Sequence, residues 1–263
     1  MKNFKDEVLS EEKSNLLYQY YKPCYKKNKS ILKSKIYLND VRNFNDPYEL
    51  SFKIPTDPAY FEKIGFEQSE ENKEFHDNMI RLSQSGNIYN DLICKLTESY
   101  TISCFSREIL NPLMWSHYAD KHKGMCLVYE FELQLCEGNL LGLKDPMSEE
   151  SKLFFEDVTY QDEVPILYPI ADVDSTFKNR KILTNKSKAW EYEKEVRILS
   201  KLKTGNVEIH PESLRAIFFG MRFDTSLIQR YMLTFRKKFP WLEFFQINKN
   251  IGSYKLEIKN ITS

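Results

Sequence analysis

The stretch Trp190-Glu191-Tyr192-Glu193-Lys194-Glu195-Val196-Arg197 decides how this chain is read, because acids and bases alternate there with residues that a core accepts. With a period of two it is a strand, with Glu193, Glu195 and Arg197 on one face and Tyr192, Lys194, Val196 and Ile198 on the other. Carboxylates held side by side repel, so a fold that partly buries them needs a cation or a substrate next to them. The same letters fit a solvated helix in which Glu193 and Arg197 form an i,i+4 pair. The first reading puts an acidic site on a sheet; the second makes the stretch ordinary surface.

Working outward, residues 177–190 have helical composition and lead straight into this stretch. Beyond it, residues 214–220 read as a buried strand ending at Gly220, and residues 225–239 as a helix capped by Thr225 or Asp224. Residues 244–247 and 254–258 read as strands. Arg230, Arg236, Lys237 and Lys238 give the late helix a basic side, a pattern common on solvated faces. Upstream, residues 16–21 and 34–38 are short aromatic or β-branched runs with strand character, and the first equally fits the end of a short helix beginning near Ser10. Residues 100–106 alternate, with Ile102, Cys104 and Ser106 on one face, so Ser106 stands at the C-terminal lip of a strand, where sites are often built. Asn111-Pro112 opens a helix carrying Met114, Trp115, Tyr118, Ala119 and His122 at helical spacing. Gly124 is placed to end that helix in a left-handed conformation, before a strand over 125–131. A short helix is expected over 148–155 and a strand near 157–160.

Asn43-Phe44-Asn45-Asp46-Pro47-Tyr48-Glu49 is a turn: a side-chain carbonyl can bond the backbone two residues on, and Pro47 fixes φ. Residues 58–99 shift to Glu, Lys, Asn and Gln around Phe75, Met79, Ile80 and Leu82, a two-helix insertion broken near Ser85-Gly86-Asn87. The expectation is one α+β domain over residues 1–263, with a central mixed or antiparallel β-sheet flanked by helices and a helical insertion at 58–99.

Composition narrows the class. The 263 residues are 41% hydrophobic and 14% aromatic, enough for one large core or two modest ones. Lys+Arg and Asp+Glu both number 38, so there is no global field to draw in nucleic acid, although a local basic groove remains open. Five cysteines without a C-x-x-C spacing point to a reducing cytoplasm. The charged N-terminus lacks an apolar signal core, and no window holds eighteen apolar residues, so no membrane association is expected. His117 and His122 lie five apart, on different sides of a helix, which argues against a metal pair; no metal site is assigned. Neither a Gly-x-Ser-x-Gly elbow nor a glycine-rich phosphate loop occurs.

Four ordered motifs carry a resemblance: Asn45-Asp46-Pro47-Tyr48-Glu49, Cys104-Phe105-Ser106, Met114-Trp115-Ser116-His117-Tyr118-Ala119 with Lys123-Gly124, and the stretch quoted first. Together they resemble a bacterial and phage family known as a domain of unknown function, over roughly residues 17–258. That likeness implies no activity by itself.

A weaker likeness of chain order is to ADP-ribosyltransferase-type enzymes. There an early strand supplies a base that holds the NAD phosphates, a middle strand supplies Ser, and a late acid supports the ribose. Carried over, it implies Ser106 as the middle element, Glu195 as catalytic acid and Glu193 as the partner that orients or deprotonates the acceptor. Arg42 and Lys22 are candidates for the base, and the usual Ser-Thr-Ser run is absent. Asn45, Asp46, Glu49, Trp115, Tyr118, Trp190 and Arg197 complete the candidate binding set, with aromatic rings to stack on a planar base. The reading is an enzyme using NAD as co-substrate or another nucleotide, a toxin or anti-phage effector acting on a protein or nucleic-acid acceptor. Two other classes stay open. One is a non-catalytic interaction module; the other is a nuclease binding magnesium through Asp46, Glu49, Glu193 and Glu195.

Overall fold

The computed structural model describes residues 4–9, 15–23, 25–54, 77–78, 81, 86–131, 153–167, 176–201 and 203–261. In chain order the first elements are α1 (Phe4–Leu9), β1 (Leu16–Tyr21), α2 (Tyr25–Leu32), β2 (Lys35–Asp40) and α3 (Asn87–Ser99). Next come β3 (Thr101–Ser106), α4 (Pro112–Tyr118), β4 (Met125–Glu130), β5 (Leu153–Asp157), β6 (Thr159–Gln161), α5 (Thr176–Leu183) and β7 (Asn185–Ser187). A 3₁₀ turn, Lys188–Glu193, leads into β8 (Glu195–Ser200), followed by β9 (Gly205–Glu208), β10 (Leu214–Phe219), α6 (Thr225–Arg236), β11 (Glu243–Lys249) and β12 (Leu256–Asn260). The fold is α+β. Among the described residues no helix is long and apolar enough to cross a membrane.

By its internal packing the chain divides into two compact units. The first comprises Met1–Asn39, Ile102–Asp157 and Tyr192–Ser263; the second comprises Asp40–Thr101 and Val158–Glu191.

Among its described residues, the first unit is built on a ten-stranded sheet in the order β12-β11-β10-β4-β1-β3-β2-β9, with β8 beside β3 and β5 beside β8. β10 and β11 run parallel, whereas β1 and β4 pair antiparallel with Tyr18 opposite Val128, so the sheet is mixed. Its central strands read as unbroken apolar runs because both faces are covered. Alternate residues serve two cores. Leu17, Leu127, Ile217, Phe219 and Phe244 join a cluster with Ile31 of α2 and Ile228, Met232 and Phe235 of α6. Their neighbours Tyr18, Val128, Phe218 and Phe245 join Phe4 of α1 with Trp115 and Ala119. Each fully buried Leu, Ile or Phe contributes roughly 1.5–3 kcal/mol, so this two-sided burial is the main stabilising term.

The second unit holds α3, α5 and the parallel pair β6–β7. Gly86 precedes α3 at φ +72°, a left-handed residue at the expected insertion break. Phe52 stacks on Tyr89 at 4.5 Å. The Lys53 ammonium meets the Glu163 carboxylate at 2.5 Å.

Several expected elements are corrected. The helix expected over 148–155 is strand from Leu153 on, because Leu153 and Phe154 pair with Ser200 and Leu199; residues 148–152 lie outside the described set. The helix expected over 177–190 stops at Leu183, since Thr184 O accepts the Thr159 N–H at 2.8 Å and the chain then pairs with β6. Leu256 starts the last strand, leaving Tyr254 in the hairpin turn. The earlier part of the 58–99 insertion, including Phe75, Met79, Ile80 and Leu82, lies outside the described residues.

α4 ends at Tyr118 rather than at His122. The left-handed conformation falls on Asp120, Lys121 and His122, with φ of 48°, 56° and 68°, and not on Gly124. Gly124 is required for a different reason: a Cβ there would lie 2.2 Å from Tyr21 O. Gly220 is equally constrained, with His122 O at 2.1 Å, because the two backbone segments pack directly on one another.

Candidate functional site

The quoted stretch is neither a continuous strand nor a helix. Trp190 to Glu193 belong to the 3₁₀ turn, Lys194 takes φ +43°, and β8 starts at Glu195. A lysine in the left-handed region costs roughly 1–2 kcal/mol, so the surrounding contacts must hold it there. The consequence corrects the alternation: Glu193 lies off the strand, and only Glu195 and Arg197 share a strand face. The i,i+4 pairing of Glu193 with Arg197 also gives way, because Arg197 Nε donates to Glu195 Oε1 at 3.0 Å and Nη2 to Oε2 at 3.2 Å.

Contacts from β3 and α4 fix this reversal. Ser106 ends β3 and is buried; its hydroxyl donates to Glu193 O at 2.5 Å and accepts the Glu108 N–H at 2.9 Å. Arg107 N–H donates to Lys194 O at 2.9 Å. Asn111 caps α4 through its Oδ1, which accepts the Leu113 N–H at 2.9 Å, and its Nδ2 donates to Tyr192 O at 3.1 Å. The Lys194 ammonium reaches outward to Glu108 Oε2 at 3.0 Å. Ser106 therefore secures the carbonyl of the residue before the kink, and Arg107 the carbonyl at the kink itself.

Both acids are withdrawn from solvent, Glu193 at 3% exposure and Glu195 at 6%, and Arg197 is wholly buried. Glu193 Oε1 accepts the Tyr118 hydroxyl in a short hydrogen bond. Glu195 and Arg197 form a bidentate pair at low dielectric, where removing either partner would leave a costly buried charge. The arrangement buries two carboxylates at the entry to β8, one hydrogen-bonded by a phenol and one balanced by a guanidinium.

Of the ten candidate residues, Ser106 and Tyr118 both bond to Glu193, through its backbone O and its Oε1, and Arg197 pairs with Glu195. Trp115 serves the core: it is wholly buried, its indole N–H donates to Ile109 O at 2.7 Å, and Tyr20 meets it edge-on at 5.3 Å. Trp190 stands half-buried with the Lys186 ammonium 4.8 Å above its ring. Lys22, beyond the end of β1, lies 4.0 Å from Asp120.

Asn45, Asp46 and Glu49 sit in the second unit. Asn45 is exposed, whereas Asp46 is buried and its Oδ1 accepts the Tyr48 N–H at 2.9 Å. Asp46 Oδ2 is buried without a hydrogen-bond partner among the described residues. Arg42 is exposed and bound to Asp40, its Nε donating to Oδ1 at 2.9 Å. Among the described residues no group of three or more His, Cys, Asp and Glu side chains is placed to hold a metal ion.

What the letters did not reveal is the positive φ at Lys194 and the role of Asn111. An Asn-Pro pair announces a helix cap, but nothing in the sequence indicates that the free amide reaches across to Tyr192.

Fold and site together define an α+β protein with a kinked acidic turn clamped to a serine-tipped strand. The model of a family described as a protein of unknown function, DUF2971, matches residues 114–198. The match starts in α4 and ends in β8, so it takes in Tyr118, the left-handed turn at 120–122, Glu193, Glu195 and Arg197. The likeness to a family of unknown function is thus found over that segment. Searches of curated proteins and of solved structures returned no match.

Proposed function

We propose that the protein is an enzyme that breaks the bond between a ribose and its base in NAD or a related nucleotide and transfers the ribosyl group to an acceptor. The observation that carries this reading is the meeting of Ser106, the last residue of β3, with the turn that leads into Glu195 at the start of β8: the Ser106 hydroxyl donates to Glu193 O at 2.5 Å, and β3 pairs with both β8 and β1. Along the chain, an early strand, a strand ending in serine and a late acid follow the order that the resemblance implies.

The chemistry balances. As the C–N bond breaks, nicotinamide leaves with the bonding electrons and positive charge grows on the ribose. A fixed carboxylate at Glu195 stabilises that charge more in the transition state than in the ground state. The acceptor oxygen then bonds to the ribose carbon and gives up its proton to Glu193, which Tyr118 orients. In this reading Arg197 keeps Glu195 in place, and the acceptor is a protein or a nucleic acid acted on by a toxin or anti-phage effector.

A second reading draws on the same contacts. Each acid already has a protein partner, so the turn can equally be the structural joint of a non-catalytic interaction module.

Incubation of the purified protein with NAD and a cell lysate separates the two. The enzyme releases nicotinamide and labels a macromolecule; absence of both on every acceptor fraction contradicts the proposal. Glu195→Gln removes turnover when assayed below its melting temperature, with folding checked by circular dichroism.

A further inference from the structure

Helix α6 turns one side into the core and leaves the other to solvent. Ile228, Met232 and Phe235 are buried in the sheet's apolar cluster. With 3.6 residues per turn, the opposite ridge carries Leu227, Arg230, Leu233, Thr234 and Lys237. All five are exposed, Leu233 at 71%. Arg236 flanks the ridge with its guanidinium 5.2 Å over the Phe244 ring, and Lys238 follows in the next turn.

The charge of this segment departs from that of the chain. The whole sequence balances 38 bases against 38 acids, yet residues 225–238 contain four bases and no acid. Among the described residues none of Arg230, Arg236, Lys237 and Lys238 forms an ion pair with a carboxylate. Lys237 and Lys238 suit the negative end of the helix dipole, but that effect fades within the last turn and does not account for Arg230.

We infer that the outer ridge of α6 binds the phosphate backbone of duplex DNA without reading its sequence. The shape favours this partner over others. A helix that is convex and backed by a sheet fits a major groove about 12 Å wide, and Arg230 and Lys237 lie about 10 Å apart along its axis. An anionic membrane calls for a broad apolar face turned outward, whereas the apolar side of α6 is spent on the core and only Leu227 and Leu233 face solvent. A repeating polyanion needs no shaped pocket and is held by cations that release counterions. This inference is independent of the proposed ribosyl transfer.

The test is fluorescence anisotropy of a labelled 20-base-pair DNA duplex titrated with the full chain at about 50 and about 200 mM salt. With about three to four phosphate contacts, log K against log salt has a slope of roughly −3. The double variant Arg230→Glu, Lys237→Glu weakens binding at least about tenfold and lowers the slope by about 2, with an unchanged melting curve. The milder pair Arg230→Gln, Lys237→Gln gives an intermediate loss and serves if the reversal disturbs folding. No binding at the lower salt, binding that neither pair weakens, or capture by phosphatidylserine vesicles in preference to DNA would each overturn the inference.

Discussion

Arg197 is held by Glu195 two residues earlier on the same strand, through Nε–Oε1 at 3.0 Å and Nη2–Oε2 at 3.2 Å, with the guanidinium fully out of solvent. A strand places residues i and i+2 on one face, so a single stretch of β8 supplies both charges and the pair needs no distant element to form. The pair therefore fixes which way the first residue of the strand points.

Removing one partner should cost far more than the pair itself contributes. Arg197→Leu is expected to lose roughly 3–5 kcal/mol in urea unfolding, because it removes the buried guanidinium that is hydrogen-bonded to the Glu195 carboxylate. Glu195→Gln should also lower the melting temperature. A loss below about 1 kcal/mol for Arg197→Leu, the range of exposed pairs, would show that the site is wet rather than buried.

The kink at Lys194 gives a prediction of opposite sign. Glycine adopts positive φ without steric cost, so Lys194→Gly should be neutral or stabilise by up to about 1 kcal/mol despite the lost contact to Glu108. Lys194→Val, β-branched at φ +43°, should destabilise. Equal effects of the two on the melting temperature would mean the left-handed conformation is not retained in solution.

Much of the fold was legible because burial on both faces writes itself as apolar runs: residues 125–130 and 214–219 are recognisable as strands on those grounds. Among the candidate site residues, the sequence picked out Ser106 and Tyr118, both of which bond to Glu193, but not the contacts themselves. The kink was not, since Lys194 carries no sign of left-handed backbone and the contacts that hold it come from Ser106, Arg107 and Asn111, far away in the chain. The turn at Asp120, Lys121 and His122 was hidden for a related reason. Gly124 looked like the left-handed residue, but its missing side chain admits Tyr21 O instead. The strand expected near 157–160 overlaps β6, but its partner β7 was hidden, because three residues carry too little pattern to compete with the helical composition of 177–190.

The two crowded glycines predict a contrast. Gly124→Ala and Gly220→Ala place a methyl group against backbone at 2.2 Å and 2.1 Å, and each should destabilise by roughly 3 kcal/mol or prevent folding. Gly86→Ala meets nothing within 4 Å and faces only its positive φ, a cost of about 1 kcal/mol. Thermal melts of the three variants check the order, and a Gly86 variant as damaged as the other two would contradict it.

His122 makes stability depend on pH. Burial first, and then the nearby Arg222 charge, holds its imidazole below the ordinary histidine range. The neutral ring is thus the native form, and the unfolded chain, titrating near about 6.5, takes up the proton more readily. This contribution is complete above about pH 6.5 and is lost as the pH falls toward the depressed folded value. Melting temperatures taken from about pH 7.5 down to about pH 5 should fall more steeply for the wild type than for His122→Gln. Parallel profiles would remove His122 from the account.

The most direct test of the central claim, that the carboxylates of Glu193 and Glu195 beside Ser106 perform ribosyl chemistry, is nicotinamide release from NAD by the purified wild-type chain, with and without lysate as acceptor. The account predicts release that Glu195→Gln abolishes while the variant remains folded at the assay temperature. No release from the wild type, or equal release from the folded Glu195→Gln variant, would contradict it.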